Sequence, residues 1–102
     1  MTKDELLKVI KKVAQNGDLT LDLSGKGLTE LPPEISQLSN LGQLDLRNNQ
    51  LRKLPPEIGQ LTSLKSLSLN NSQLTELPPE IGQLRSLRWL DLSGNKLRKL
   101  PL

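Results

Sequence analysis

The acidic residues that recur at one position of a repeated segment are the chain's main candidates for chemistry. Asp22, Asp45 and Asp91 share that position, and Ser68 takes the fourth place. Two neighbouring carboxylates, such as Asp22 and Asp45, are able to act as acid and base, or to bind a cation or a basic peptide. On strands about 4.8 Å apart the like charges repel each other, and Arg47 offsets part of that repulsion. A solvated acidic row is therefore the plainer interpretation.

The residue types that most catalytic and metal sites need are missing. The 102-residue sequence has no His and no Cys, which removes the commonest general base at neutral pH and the usual zinc ligands. Its glycines form no phosphate-binding loop, and its acidic residues do not have the spacing of a calcium-binding loop. We therefore expect no catalytic residues, no metal site and no cofactor, and we predict that the protein is not an enzyme.

Composition and charge also argue against two classes of partner, nucleic acids and membranes. The net charge is +3, but the basic residues are spread along the chain, whereas a nucleic-acid-binding face needs clustered Lys and Arg. The segment from Met1 to Asp18 contains no apolar run long enough for a signal peptide or a membrane span. We predict a soluble, cytoplasmic protein that binds neither nucleic acid nor membranes, and the lack of Cys is compatible with a reducing compartment.

A 23-residue unit recurs along most of the chain. Three segments in register are LGQLDLRNNQLRKLPPEIGQLTS, LKSLSLNNSQLTELPPEIGQLRS and LRWLDLSGNKLRKLPL, and a variant, DLTLDLSGKGLTELPPEISQLSN, precedes them. The shared pattern is LxxLxLxxNxL followed by LPPEIxQL. The chain therefore divides into residues 1–17 and four repeats, which span 18–40, 41–63, 64–86 and an incomplete 87–102.

Each unit predicts one short strand and a return segment. In LxxLxL alternate residues point the same way, so Leu44 and Leu46 face inward together with their equivalents. One strand cannot bury this apolar side alone, so the repeats must stack and pair their strands in parallel. The prolines of LPPEIxQL fix φ and open a turn or a short helix, after which Ile58 and Leu61 return to the interior.

The asparagine of the pattern has a physical reason of its own. Asn49 and Asn95 follow the strand where the chain turns sharply, and a buried amide there can satisfy backbone groups that the turn leaves unpaired. Ser72 can make fewer such bonds, and Lys26 cannot lie inside. We expect the repeat that contains Lys26 to be terminal and looser.

The segment before the repeats, 1–17, predicts a helix. Thr2 and Glu5 fit a capping box, Leu6, Ile10 and Val13 form an apolar stripe at helical spacing, and Gly17 suits the C-terminal end. We expect this helix to cover the first repeat, because solenoids need capped ends. The alternative is an amphipathic helix that binds a membrane surface or a partner.

The C-terminal end has no such cover. The fourth unit stops before its PEIxQL portion, which leaves its strand with an open edge and its leucines without a further layer. The chain is then part of a longer array, or a designed chain with no independent activity, or it associates with itself and forms a homodimer. The candidate residues for self-association are Leu87, Trp89, Leu90, Leu100 and Leu102.

Outward residues of the four strands form a surface that we call the sheet face, on the concave side of the predicted solenoid. Its rows are Thr20, Gln43, Ser66 and Trp89; then Asp22, Asp45, Ser68 and Asp91; then Ser24, Arg47, Asn70 and Ser93. Repeat proteins commonly bind ligands on this side. Exposed Trp is frequent in binding hot spots, although Trp89 has an alternative role as a cover for the open end. The candidates for protein binding are Gln43, Asp45, Arg47, Ser68, Asn70, Trp89 and Asp91.

A second pattern follows the strands. The pairs Thr29-Glu30, Arg52-Lys53, Thr75-Glu76 and Arg98-Lys99 alternate in charge from repeat to repeat. Stacked repeats would then place opposite charges side by side, and we expect a ladder of ion pairs.

The segments LDLSGKGLTELPPEI, LDLRNNQLRKLPPEIGQL and LSLNNSQLTELPPEIGQL resemble the leucine-rich-repeat superfamily. They are similar to its 23-residue bacterial and Ras-associated subtype, which is abundant in cyanobacterial proteins and in the repeat arrays of Roco GTPases. The resemblance implies an α/β fold, a right-handed leucine-rich-repeat solenoid with a parallel concave sheet and an N-terminal capping helix. It also implies a scaffold for protein–protein contacts that needs no cofactor, with a partner that the resemblance does not name.

Overall fold

A computed structural model describes residues 1–101 of the chain. One α-helix comes first and is followed by four three-residue strands, which alternate with three short 3₁₀ helices. The bounds are α1 Lys3–Asn16, β1 Thr20–Asp22, η1 Pro33–Gln37, β2 Gln43–Asp45, η2 Pro56–Gln60, β3 Ser66–Ser68, η3 Pro79–Gln83 and β4 Trp89–Asp91.

The four strands form one parallel sheet in sequence order. Leu21 pairs with Leu44, Leu44 with Leu67, and Leu67 with Leu90, so each step along the sheet equals one repeat unit. Parallel strands normally need a long crossover that contains a helix, and here a 3₁₀ turn and extended chain make the crossover instead. The predicted solenoid with a parallel sheet is confirmed.

The core consists of stacked leucines. Those of β2 and β3 are 0–1% exposed, and the second proline of each PP pair begins a 3₁₀ helix, where its missing N–H leaves no donor unpaired. The carbonyl of the first proline accepts the amide of the isoleucine, at 3.0–3.1 Å in all three copies. This turn directs Ile35 and Ile58 fully inward.

The turn after each strand has the same unusual backbone conformation at one residue. One residue of every turn adopts the left-handed conformation, with φ between 58° and 70°: Gly25, Asn48, Asn71 and Gly94. Glycine and asparagine are the residues that tolerate this conformation most readily. In repeats 2, 3 and 4 the next side chain, from Asn49, Ser72 and Asn95, turns inward and bonds to the backbone. In repeat 1 the next residue is the exposed Lys26.

Asn49 connects two repeats through its buried amide. Its Oδ1 accepts the backbone amides of Lys26 and Leu28 at 3.1 and 3.0 Å, and its Nδ2 donates to the carbonyls of Leu23 and Leu46 at 3.0 and 2.9 Å. Ser72 instead contacts a single residue, because its Oγ accepts the Leu51 amide at 2.7 Å and donates to the Leu51 carbonyl at 3.4 Å. The predicted difference between the two side chains is therefore present, and Lys26 is exposed as expected.

The N-terminal helix has the predicted capping box and covers the first repeat. The Glu5 amide donates to Thr2 Oγ1 at 3.1 Å, and the Thr2 amide donates to Glu5 Oε1 at 2.9 Å. Gly17 ends the helix with φ 67°. Leu6, Ile10 and Val13 are buried in the same core as the leucines of the repeats, and α1 packs against η1.

Leucines of the fourth repeat are less buried than their equivalents. Leu90 is 37% exposed, whereas Leu67, at the same position one repeat earlier, is 0% exposed. Leu87 and Leu92 pack partly against the core. Within residues 1–101 the Leu92 amide has no counterpart to the bond that the Leu69 amide donates to the Asp91 carbonyl at 2.9 Å.

Asn49→Ala is expected to lower the free energy of unfolding by about 2–4 kcal/mol, because buried backbone groups of two repeats lose their partner. Ser72→Ala is the matched control and should cost about 1 kcal/mol, since its hydroxyl serves one residue. Urea denaturation of both variants measures the difference. Equal losses would show that the amide does not connect the repeats in the way its bonds indicate.

Candidate protein-binding face

Strand register assembles the sheet face. Thr20, Gln43, Ser66 and Trp89 lie in one row, and Asp22, Asp45, Ser68 and Asp91 lie in the next. Backbone bonds from Asn48 to Asn70 and from Asn71 to Ser93 continue the alignment past the strands. All seven predicted protein-binding residues therefore belong to one aligned surface.

A shallow depression of about 320 Å³ lies over the first three strands of this surface. Its polar lining comes from Thr20, Asp22, Gln43, Asp45, Ser66 and Ser68. Arg47, Asn70, Trp89 and Asp91 do not line it. Thr20, Asp22 and Ser66 were not among the seven candidates, although their positions in the same rows are the signal that identifies them.

Three aspartates of the acidic row form hydrogen bonds with the chain just after their own strands. Oδ1 of Asp22, Asp45 and Asp91 accepts the backbone amide two residues later, at 2.9, 3.1 and 3.0 Å. Asp91 Oδ1 also accepts the Ser93 hydroxyl at 2.7 Å. Each carboxylate thus stabilises the turn that ends its strand, which is a structural reason for Asp at this position.

These bonds shift the titration of two of the carboxylates. Hydrogen bonds from the side chain and the amide of Ser24 hold the pKa of Asp22 below its ordinary value. The side chain and the amide of Ser93 lower the pKa of Asp91 in the same way. Asp22 and Asp91 therefore stay ionised to a lower pH than an ordinary aspartate does.

Arg47 balances the row at its centre. Its Nε lies 3.2 Å from Asp45 Oδ2, while Asp45 Oδ1 accepts the Arg47 amide. This is the one ion pair within 4.0 Å among residues 1–101. The ladder of ion pairs expected among Glu30, Lys53 and their equivalents is therefore absent from that part of the chain, where all of these side chains are exposed.

Trp89 stands at the edge of the sheet face and is 61% exposed. It pairs in register with Ser66, and the same row carries Gln43 and Thr20 in the earlier repeats. More than half of this side chain is therefore accessible to another molecule.

The candidates for self-association form a less uniform group. Trp89, Leu90 and Leu100 are exposed, whereas Leu87 is partly buried against the core. Leu102 lies outside the described residues.

Residues 1–101 contain no cluster of three His, Cys, Asp or Glu side chains that could hold a metal ion. No α-helix in the same range has the length and apolar character that crossing a bilayer requires.

Comparison with known proteins identifies the repeat. A family model described as leucine-rich repeat matches residues 39–97. The chain belongs to the leucine-rich repeat family. Leucine-rich-repeat domains generally mediate contacts between proteins and are typically not enzymes. The subtype, the bacterial origin and the cytoplasmic location stay predictions.

Several solved leucine-rich-repeat structures resemble the chain. A leucine-rich-repeat protein of Leptospira interrogans is 34% identical with a TM-score of 0.57, and the match covers 89% of this chain and 36% of that one. The leucine-rich-repeat domain of a Shigella effector is 28% identical with a TM-score of 0.77 over 97% and 41% of the two chains. That of the type III effector XopL is 30% identical with a TM-score of 0.82 over 95% and 32%.

This leucine-rich-repeat chain thus spans about a third to two-fifths of the length of these solved structures. No curated protein matches it significantly.

Stability is expected to fall on acidification in part through Asp22 and Asp91. Their folded-state pKa values are lowered, so their contribution is present above the unfolded pKa of about 3.9 and is lost as the pH falls through the folded values. The double variant Asp22→Asn, Asp91→Asn keeps the acceptor oxygens and should show a shallower decline below about pH 4. Denaturant titrations at a series of pH values measure it, and parallel curves for the two proteins would contradict this assignment.

Proposed function

We propose that the sheet face of this leucine-rich-repeat chain binds a protein partner, with Trp89 as its main apolar contact. The observation that carries the proposal is a Trp that is 61% exposed on an otherwise polar face. Leaving so large an apolar ring in water brings no folding benefit, whereas its burial by a partner is favourable.

The polar rows suit a partner with mixed polar groups. Ser68, Asn70 and Gln43 offer both donors and acceptors, and Arg47 is half exposed beside Asp45. Charge pairs at the edge of an interface mainly set specificity and association rate. We therefore assign these residues to the choice of partner and Trp89 to affinity.

The shape of the face favours a protein segment over a small molecule. Its depression is shallow and open, and polar side chains line most of it, whereas sites for small molecules are concave and mainly apolar. The backbone ladder beneath the face holds its residues in fixed rows, so little ordering accompanies binding.

A random-peptide library displayed on phage and selected against the immobilised wild-type chain tests the proposal. Peptides that bind are expected to lose about tenfold or more in affinity for Trp89→Ala, because truncating a Trp hot spot removes most of its contact. The melting temperature should not change, because the ring is largely exposed. Isothermal titration calorimetry with the selected peptides measures the affinity, and differential scanning calorimetry of the protein measures the melting temperature.

Arg85→Ala is the matched control, an exposed residue that lies outside the sheet face. It should leave peptide binding unchanged. If the peptides bind equally to Trp89→Ala and to the charge-reversed variant Asp45→Lys, Arg47→Glu, the sheet face is not the binding surface.

A second function is favoured by the exposed leucines of the fourth repeat, namely self-association through that end of the solenoid. Leu90 is 37% exposed and Leu100 is 56% exposed, at positions that are buried in the preceding repeats. A second copy stacked on β4 would cover them and pair the open strand edge.

Leu90→Lys tests this second function, because a charge at the strand edge opposes pairing. Light scattering over a concentration series at about 0.5 M salt, where contacts between exposed charges are screened, should show association of the wild-type chain and its loss in Leu90→Lys, with circular dichroism confirming that the variant is folded. A wild-type chain that is monomeric throughout would contradict it.

A further inference from the structure

Six charged side chains form a line beside the sheet face, which we call the charged row. Repeat 1 contributes an acid, repeat 2 two bases, repeat 3 an acid and repeat 4 two bases. Every member is exposed. The members are Glu30, Arg52, Lys53, Glu76, Arg98 and Lys99.

The row's spacing is set by the backbone beneath it. Just before each charged pair, one backbone bond joins each repeat to the next: the amides of Gln50, Gln73 and Lys96 donate to the carbonyls of Leu28, Leu51 and Leu74 at 2.8–2.9 Å. Adjacent repeats therefore stand about 4.8 Å apart along the row, as neighbouring strands do. The charges belong to a rigid, evenly spaced array.

The alternating charges of the row do not form ion pairs with one another among residues 1–101. Among residues 1–101 the ion pair within 4.0 Å joins Arg47 and Asp45, and no member of the charged row takes part in it. The row's carboxylates and cations thus face solvent with their charges available to another molecule.

Reversing the order of the charges gives the opposite sign at every position, so the row is complementary to its own reverse. Read from repeat 1 to repeat 4, the signs are minus, plus, minus, plus. A second copy in antiparallel orientation places repeat 4 opposite repeat 1 and repeat 3 opposite repeat 2, so all four contacts join opposite signs. A parallel copy in register places like on like four times. Of the two two-fold arrangements of facing rows, the charges permit the antiparallel one.

Exposed prolines follow the members of the row in the sequence of the first three repeats. Pro33, Pro56 and Pro79 each stand three positions along the chain after the second residue of the pair in their repeat. All three are exposed. Their rings are already fixed in φ, so covering them orders little that is mobile.

We propose that the charged row is a two-fold dimer contact whose occupant is a second, antiparallel copy of this chain. The contact uses none of the sheet-face residues and none of the exposed leucines of repeat 4. Because its pairs are exposed, the dimer is weak and strengthens at low ionic strength.

Two permutations of the row separate this contact from ordinary electrostatics within the stack. Variant A carries Arg52→Thr, Lys53→Glu, Thr75→Arg and Glu76→Lys, which gives the order minus, minus, plus, plus. It places like charges next to each other at two of the three steps between repeats inside the chain. An antiparallel copy, however, still meets opposite signs at all four contacts.

Variant B carries Thr75→Arg, Glu76→Lys, Arg98→Thr and Lys99→Glu, which gives minus, plus, plus, minus. It has a single like-charged neighbour inside the chain, but an antiparallel copy meets like charges at every contact. Both variants have the same composition and net charge as the wild-type chain.

Sedimentation equilibrium at about 50 mM salt, where screening is modest, measures the three dimerisation constants. Variant A should dimerise within about threefold of the wild-type chain, and variant B should be weaker by about tenfold or more, since four attractive contacts become repulsive. If only stacking within the chain mattered, variant A would be the more perturbed protein.

A fully inverted row, plus, minus, plus, minus, gives an independent measurement if either permutation fails to fold. It should dimerise within about threefold of the wild-type chain, because an antiparallel copy again meets opposite signs at all four contacts; sedimentation equilibrium under the same conditions measures this. A monomeric wild-type chain, equal behaviour of variants A and B, or a folded inverted chain that does not dimerise overturns the proposal. Association that survives every permutation and is lost in Leu90→Lys overturns it too, and assigns the contact to the end of repeat 4.

Discussion

Backbone pairing between equivalent strands holds the rest of this molecule in place. The Leu46 amide donates to the Ser68 carbonyl at 2.8 Å, and the same bond recurs one repeat earlier from Leu23 and one repeat later from Leu69. A slip of one residue would turn the strand leucines from the core to solvent. The leucine layers, the inward asparagine and the outward rows all depend on this constant offset of one repeat unit between paired strands.

The same constraint explains why burial differs between the repeats. A three-residue strand buries its leucine only when a neighbour covers each side, and a fully buried leucine contributes about 1.5–3 kcal/mol. Leu44 and Leu67 have neighbours on both sides and are 1% and 0% exposed, whereas Leu90 has a neighbour on one side. At the other end, α1 supplies the missing layer with side chains at helical spacing. The helix α1 and the stacked repeats thus contribute to a single core.

Much of the fold was predictable because each of its rules acts over a short stretch of chain. The leucine spacing gave the strands, the PP pair gave the 3₁₀ turn, and the capping box and Gly17 gave the bounds of α1. The two outcomes that sequence could not give depend on side-chain direction. Asp22 and Asp91 accept hydrogen bonds from their own turns, and Glu30 and Lys53 are exposed without an ion pair to each other. Spacing along the chain places such residues next to one another but does not say which atom each one contacts.

Because leucines, prolines and asparagines carry the framework, the outward positions are free to differ between repeats. Gln43, Ser66 and Trp89 occupy the same backbone position in three repeats, and the strand geometry around them is the same. A change there alters the surface at little cost to the fold, so recognition can be concentrated in one or two repeats. The charged row lies further along each unit, after the turn that Asn49 stabilises. The charged row and the sheet face therefore share no residue, and either set of side chains can change without altering the other.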